Sequence, residues 1–483
     1  MTRSVRTLFS GLVAACLFTT NAGAEYDPEI VVVKAGTIIT ASGDAIEGGE
    51  IIIEDGEITL VGLSLDSPKN AEVIDARDMT VMPGMILART RLNLPFIRRS
   101  GVNGQFVARD EVYPDLTGFR PALESGYTAV AFVPPGTGIT GRASVYRVME
   151  IDGLRTLDAD NYLRATFEDA ARDKGAMVQA LTKAQAEIDK IEEAREEWEK
   201  QKEAWDKKQA EAKKAAEKES ENGGGDTPAD EGDAPKGDEP KPEGARRRAT
   251  EEPSGGETGD DSDPTNGGEK KDEGPGEFVP PEIDPSVKPL VDLILGEAEH
   301  PLIIEIGGAS EMLHLRDAFE QVTIDAEPKH VLAMLSPSGD YSYQIESLAS
   351  VAAGHEGDDG PLLMVSPAMY TERYTVERVN LLGELAFAGF DLVSVPSSLR
   401  GSSSQLEDVR QELGMLVREG LDHDEAIRSL TLHPARLLGI DTDFGSIEKG
   451  KTADLVFFNG DPLDPASSVQ KVMIEGRIEW ETE

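Results

Sequence analysis

Hydrophobic and polar positions alternate in short runs at both ends of the chain. From Ile30 to Gly62 the runs read as β segments, and Ile51 to Val61 predicts a hairpin turned at Asp55-Gly56. The tail mirrors this: Asp454 to Phe458 is an apolar strand, and Val472 to Trp480 is a hairpin turned at Glu475-Gly476. Two β-rich ends around a different middle predict one small β domain built from both termini. In the middle, strands alternate with helices, the pattern of a parallel sheet or barrel. Ala129–Val133, Pro301–Ile306, Leu362–Val365 and Leu392–Val395 read as strands; Ser310 to about Glu320, Leu406–Gly420 and Asp424–Leu432 read as helices. Glu168–Ser220 predicts a long charged helix, with Leu181, Ala184, Ile188, Ile191, Trp198 and Trp205 on a three-four spacing broken by Arg195 and Lys202. Its stripe thins in the second half. That favours a helix packed on the barrel and then running into solvent over a coiled-coil contact with a partner.

Composition adds a break and a leader. Glu221 to about Glu277 is rich in Gly, Pro, Asp, Glu and Lys with almost no apolar residue, so it is expected to be a disordered acidic linker, with Arg246-Arg247-Arg248 as a basic island. The formal net charge of -43 argues against a nucleic-acid partner. Arg3 and Arg6, the apolar run Leu8–Phe18 and Ala22-Gly23-Ala24 read as a secretory signal, which predicts a periplasmic or extracellular protein. Cys16 offers a rival lipoprotein reading, but the apolar run continues past it and favours cleavage after Ala24. It is the chain's one cysteine, so no disulfide or thiolate metal site is expected, and no later stretch is long and apolar enough to be a transmembrane helix.

Chemistry-bearing residues are sparse. The six histidines His300, His314, His330, His355, His423 and His433 show no H-x-H or H-E-x-x-H spacing. His433 precedes a Pro-led helix start and reads as structural; His355 lies in a Gly/Asp loop and reads as solvated. Gly136-Thr137-Gly138-Ile139-Thr140-Gly141 spells G-x-G-x-x-G, but Ser144–Met149 after it reads as a strand where a dinucleotide site needs a helix. It reads as a Gly-rich loop. Asp422 and Asp424 suit a helix start.

Three segments carry a family resemblance. Val81-Met82-Pro83-Gly84-Met85-Ile86-Leu87-Ala88-Arg89-Thr90-Arg91-Leu92 is similar to a strand reading V-x-P-G-x-I-D-x-H-x-H-L, Leu430 to Gly439 to T-x-N-P-A-x-x-L-G, and Gly445 to Val456 to G-S-I-x-x-G-K-x-A-D-L-V. Together they resemble the amidohydrolase superfamily, in its imidazolonepropionase-like branch, over about Ile30–Arg147 and from about Pro301 to the end. The resemblance implies an α/β fold, a (β/α)8 TIM-type barrel with a composite β-sandwich built from both termini. The implied division is a signal peptide at 1–24, sandwich at 25–84 and 439–483, barrel at 85–167 and 281–438, the long helix at 168–220 and the linker at 221–280. It also implies hydrolysis of non-peptide C–N bonds by water activated on zinc or another divalent metal.

The implied ligands are missing. Arg89 and Arg91 stand in the first-strand His places, Leu87 in the adjacent Asp place, Glu305 in the fifth-strand His place and Ser397 in the eighth-strand Asp place. No fourth-strand lysine is found, and His330 begins its strand at the wrong end. A guanidinium has no lone pair for a metal, so no bound metal is expected. The sequence therefore predicts an exported member without the family mechanism, a pseudoenzyme partnering an active homologue. A binding protein for small anionic ligands and a C–N hydrolase with an atypical site are the other readings. Arg89 or Arg91 is expected to pair with Glu305.

Overall fold

The computed structural model describes residues 28–95, 97, 99–113, 119–149, 153–221, 274–322, 324, 328–335, 360–371, 375–399 and 403–482. The signal, Cys16, the Arg246-Arg247-Arg248 island and His355 lie outside them. The chain divides into two compact units, one of residues up to Glu187 and from Ile283 onward, the other Ile188–Glu282.

In the larger unit the N-terminal strands are β1 (Ile30–Ile38), β2 (Ile46–Glu47), β3 (Glu50–Glu54), β4 (Glu57–Gly62) and β5 (Glu72–Pro83). The middle supplies β6 (Met85–Thr90), β7 (Ser100–Val102), β8 (Tyr127–Phe132), β9 (Thr137–Arg142), β10 (Ser144–Val148), β11 (Leu154–Asp158), β12 (Leu163–Phe167), β13 (Leu302–Ile306), β14 (His330–Met334), β15 (Leu362–Val365), β16 (Tyr370–Thr371), β17 (Arg378–Val379) and β18 (Asp391–Ser394). The tail adds β19 (Leu455–Phe458), β20 (Val469–Ile474) and β21 (Arg477–Glu481).

Both ends of the chain meet in one eight-stranded sheet ordered β21-β20-β19-β5-β1-β3-β4, with β2 beside β1. The two halves are continuous because β5 is long: it runs parallel to β1 and then pairs antiparallel with β19 over its last four residues. The implied sandwich is thus one hydrogen-bonded sheet around a core that includes Val33, Ile51, Val81, Leu455 and Phe457. Both hairpin turns form as the dipeptides require, with Asp55 and Gly56 at φ 51° and 85° and Glu475 and Gly476 at 49° and 77°. The Asp of the tail motif, Asp454, is buried, bonds Arg147 at 3.1 Å and accepts the Glu475 amide at 3.0 Å. Gly84 is fixed by close approach, since a Cβ there would lie 2.1 Å from Thr128 Oγ1.

The middle is an α/β fold. Strands β12, β13, β14, β15 and β18 run parallel in one sheet, and β6 and β8 run parallel in another. Between them the segment Thr137–Val148 serves both sheets: β9 pairs antiparallel with β12, and β10 pairs antiparallel with β8. The expected Gly-rich loop is therefore mostly strand. Glycine suits it because Gly138 and Gly141 hold φ of 85° and 122° and lie where a Cβ would meet backbone of 101 and 106. No ladder joins β18 to β6 among the described residues, so a closed eight-stranded barrel is not seen. Instead Ser394 N–H donates to Ser429 O at 2.9 Å and Ile86 N–H to Leu430 O at 2.8 Å. The core between strands and helices includes Ile86, Ala131, Val331, Met364 and Val393.

The expected helix 424–432 is two helices, His423–Arg428 and Leu432–Leu437, because Thr431 is held off helical geometry at φ -127° and ψ -79°. The long helix spans Ala170–Glu221. In the larger unit its Met177, Ala180, Leu181 and Ala184 are buried. In the smaller unit its second half is not bare, contrary to expectation. Residues 274–280, assigned from sequence to the linker, return along it: Phe278 packs edge-on to Trp198 at 6.0 Å, Trp198 Nε1 donates to Gly276 O at 2.9 Å, and Gly274 sits against the Trp205 ring. Among the described residues no helix is long and apolar enough to cross a membrane.

Candidate functional site

Four elements converge around Glu305, one of the places that the resemblance assigns to a metal ligand. Arg89 comes from β6, Arg164 from β12, Glu305 from β13, and Pro396 and Ser397 follow β18. Parallel pairing puts Thr166 beside Glu305 and Arg164 beside Ile303. Alternation along β12 then leaves the Arg164 and Thr166 side chains on the face that carries Glu305.

Glu305 is held by two guanidinium forks. Arg89 donates from Nε to Oε1 at 2.6 Å and from NH2 to Oε2 at 3.1 Å. Arg164 does the same at 2.6 and 2.7 Å. The three residues are 4%, 2% and 1% exposed in the order Arg89, Arg164, Glu305, so the charges are out of water and lean on each other. Burial pushes the Glu305 carboxyl up, but the charges of Arg164 and Arg89 and their hydrogen bonds prevail and hold it at about 2. It is a carboxylate at any ordinary pH. The remaining donors find carbonyls and a hydroxyl: Arg164 NH1 donates to Pro134 O at 3.1 Å and to Thr140 Oγ1 at 3.2 Å, and Arg89 NH1 to Pro396 O at 3.5 Å.

Arg91 does not join this group. β6 ends at Thr90 after a register shift, so the strict alternation that would carry both arginines to one ion is lost. Arg91 instead donates to Val133 O at 2.6 Å, to Pro95 O, and to Glu111 at 2.7 Å, which Arg99 also holds at 2.5 Å. Burial pulls the Arg91 pKa down and Glu111 opposes it. Its Nε is buried without a hydrogen-bond partner. Ser397 is exposed and is not joined to Glu305 by any described hydrogen bond.

The expected pairing is present, with Arg89 as the partner. Arg164 is the residue that sequence reasoning missed. The search for a fourth-strand lysine assumed a different cation, and the alternating Leu163-Arg164-Ala165-Thr166-Phe167 just before the long helix was the available signal. The donor set does not fit a metal. Two guanidinium groups supply no lone pair, and both oxygens of Glu305 are already doubly engaged. No step can be routed through an ion at these residues.

Comparison with known proteins gives partial matches to amidohydrolases. The amidohydrolase family model matches residues 380–478. A dihydroorotase of Pelotomaculum thermopropionicum is 30% identical over 125 residues, 26% of this chain and 26% of that protein. A D-hydantoinase of Geobacillus stearothermophilus is 37% identical over 100 residues, 21% of this chain and 17% of its own. A putative N-acetylgalactosamine-6-phosphate deacetylase of Escherichia coli K12 is 30% identical over 118 residues, 24% of this chain and 66% of the relative. The chain thus matches about a quarter or less of the first two relatives' length. The crystal structure of an amidohydrolase from Thermotoga maritima MSB8 shares the fold at a TM-score of 0.60 and 17% identity, over 94% of this chain and 100% of that one. The tail thus matches the amidohydrolase family model, and the chain shares the fold of a solved amidohydrolase.

Proposed function

We propose that this protein is a non-hydrolytic member of the superfamily, an exported pseudoenzyme of the imidazolonepropionase-like branch that partners an active homologue. One observation carries the reading: two residues in the ligand places, Arg89 and Glu305, close an ion network with Arg164 that satisfies itself. In an active member such a place needs lone pairs and an open position for water. Here it holds cations and a carboxylate whose oxygens are taken. The present chain keeps the fold of a solved amidohydrolase while this ion network fills the ligand places Arg89 and Glu305.

The anion-binding reading has less support, since Arg89 and Arg164 spend their N–H groups on Glu305 and loop carbonyls. The test is turnover. Purified mature protein, with and without added Zn2+ or Mn2+, is assayed on N-acyl amino acids and cyclic amides. No hydrolysis above buffer is expected, together with stable co-purification with a co-expressed homologue that retains His-x-His. Chelator-sensitive hydrolysis would overturn the non-hydrolytic reading, and absence of any complex would remove the partner role.

A further inference from the structure

Residues 459–468 join β19 to β20 and reach back onto two outer helices. Two side chains hold this strap. Arg410, on the helix Ser403–Arg418, donates to Pro462 O, to Asp464 O at 3.4 Å and to Ser467 O at 3.1 Å. His423, which opens the helix His423–Arg428, sets Nε2 3.2 Å from Asp461 Oδ1. Its other nitrogen, Nδ1, lies 3.5 Å from Asp424 Oδ1. We propose that His423 is a pH-operated latch on this strap, fastened while the ring is protonated and released when it is neutral.

The surroundings of the ring support this. Both nitrogens face carboxylate oxygens, which only accept, so both must donate, and only the imidazolium has two N–H groups. A neutral ring turns a lone pair toward one of the two carboxylates. Asp461 is not free to turn away, because its Oδ1 also accepts the Leu463 amide at 2.8 Å, in a turn where the Asp464 amide donates to Asp461 O at 3.0 Å. That turn is pressed against the helix Ser403–Arg418: a Cβ at Gly414 would lie 2.0 Å from Leu463 O, and Leu463 is buried. The two anchors differ in kind. Arg410 holds backbone carbonyls with a charge that does not titrate in the ordinary range, so His423 is the anchor that responds to pH. The charges around His423 are Asp424 on its own helix, Asp461 on the strap, and Arg410 on the neighbouring helix, whose field reaches Asp461. The hydrogen bond to Asp461 foremost raises the His423 pKa above its ordinary 6.5, with burial opposing and Asp424 assisting. The latch therefore holds fully below 6.5 and is lost as pH rises through the raised value. It is independent of the proposed pseudoenzyme role.

The experiment is hydrogen exchange on the full mature chain at about pH 5.5 and about pH 8.5, with rates corrected for intrinsic exchange. Amides of residues 460–465 are expected to open about threefold more readily at the higher pH, the scale of one partly exposed ion pair, with β13 unchanged. His423→Gln keeps Asp422 as the helix cap and should show the looser state at both pH values. A histidine NMR titration of the wild-type protein is a readout that needs no variant, with His423 expected to titrate above 6.5. Equal opening at the two pH values, a wild-type response that persists in His423→Gln, or a His423 midpoint at or below 6.5 overturns the latch.

Discussion

Glu305 is the residue on which the rest of the site depends. Removing it leaves Arg89 and Arg164 as buried cations with no counter-charge. Glu305→Ala is therefore expected to cost about 3–5 kcal/mol in urea unfolding. A volume-matched apolar replacement of all three residues should lie near wild type or above it, because the desolvation of three charges disappears with them. The carboxyl is held down at about 2 against an ordinary value of 4.5, so its stabilisation is complete above about pH 4.5 and fades as pH falls toward 2. Glu425 has the opposite sign. Burial raises it to about 7, so its contribution is complete below its ordinary 4.5 and is lost as pH rises toward 7. Glu425→Gln should flatten the decline in stability between those values, read from Tm against pH. A contact between Glu305 and either Arg89 or Arg91 was legible in sequence because the resemblance placed all three at ligand positions, and the structure selects Arg89. The Arg164 contact was not, because nothing in a single chain says which strand lies beside β13.

Elements follow local pattern until a partner far along the chain intervenes. The strands 302–306 and 362–365 and both tight turns stand within a residue of expectation, since apolar runs bounded by turn dipeptides leave little choice. Thr137–Arg142 was misread because its glycines look like a loop, and their need for close backbone approach appears only once residues 99–106 lie against them. The returning segment 274–280 was missed for a related reason: it has no periodicity, and Trp198 and Trp205 supply its order. Phe278→Ala is expected to speed amide hydrogen exchange in the helix between 190 and 215 without changing exchange in β12 or β13. Uniform acceleration in both places would mean that the segment clasps nothing in particular. At the start of the helix His423–Arg428, Asp422 accepts the Glu425 amide at 2.9 Å. Asp422→Ala should cost about 1 kcal/mol in the same unfolding assay.

At the scale of the whole molecule, the sequence announced a two-ended β domain and an α/β middle, and both are present. The closed barrel that the resemblance implied is not seen among the described residues, where Ser429 O accepts from β18 and Leu430 O from β6. The antiparallel Thr137–Val148 segment was invisible for the same reason as Arg164: neighbour relations between strands belong to the folded chain. The composite sheet has a further consequence in time. β5 is synthesised early, yet the strand that covers its final residues, β19, emerges among the last of the chain. Until then the edge at Val81 and Met82, the Gly84 amide that waits for Asp454 O, and the Arg147 guanidinium that waits for its carboxylate are all unmet. A nascent polypeptide of this kind cannot settle piece by piece from its front end. Ribosome stalling or proteolytic loss anywhere before residue 454 would leave a sticky, unfinished product fit for a holdase or a degradation enzyme.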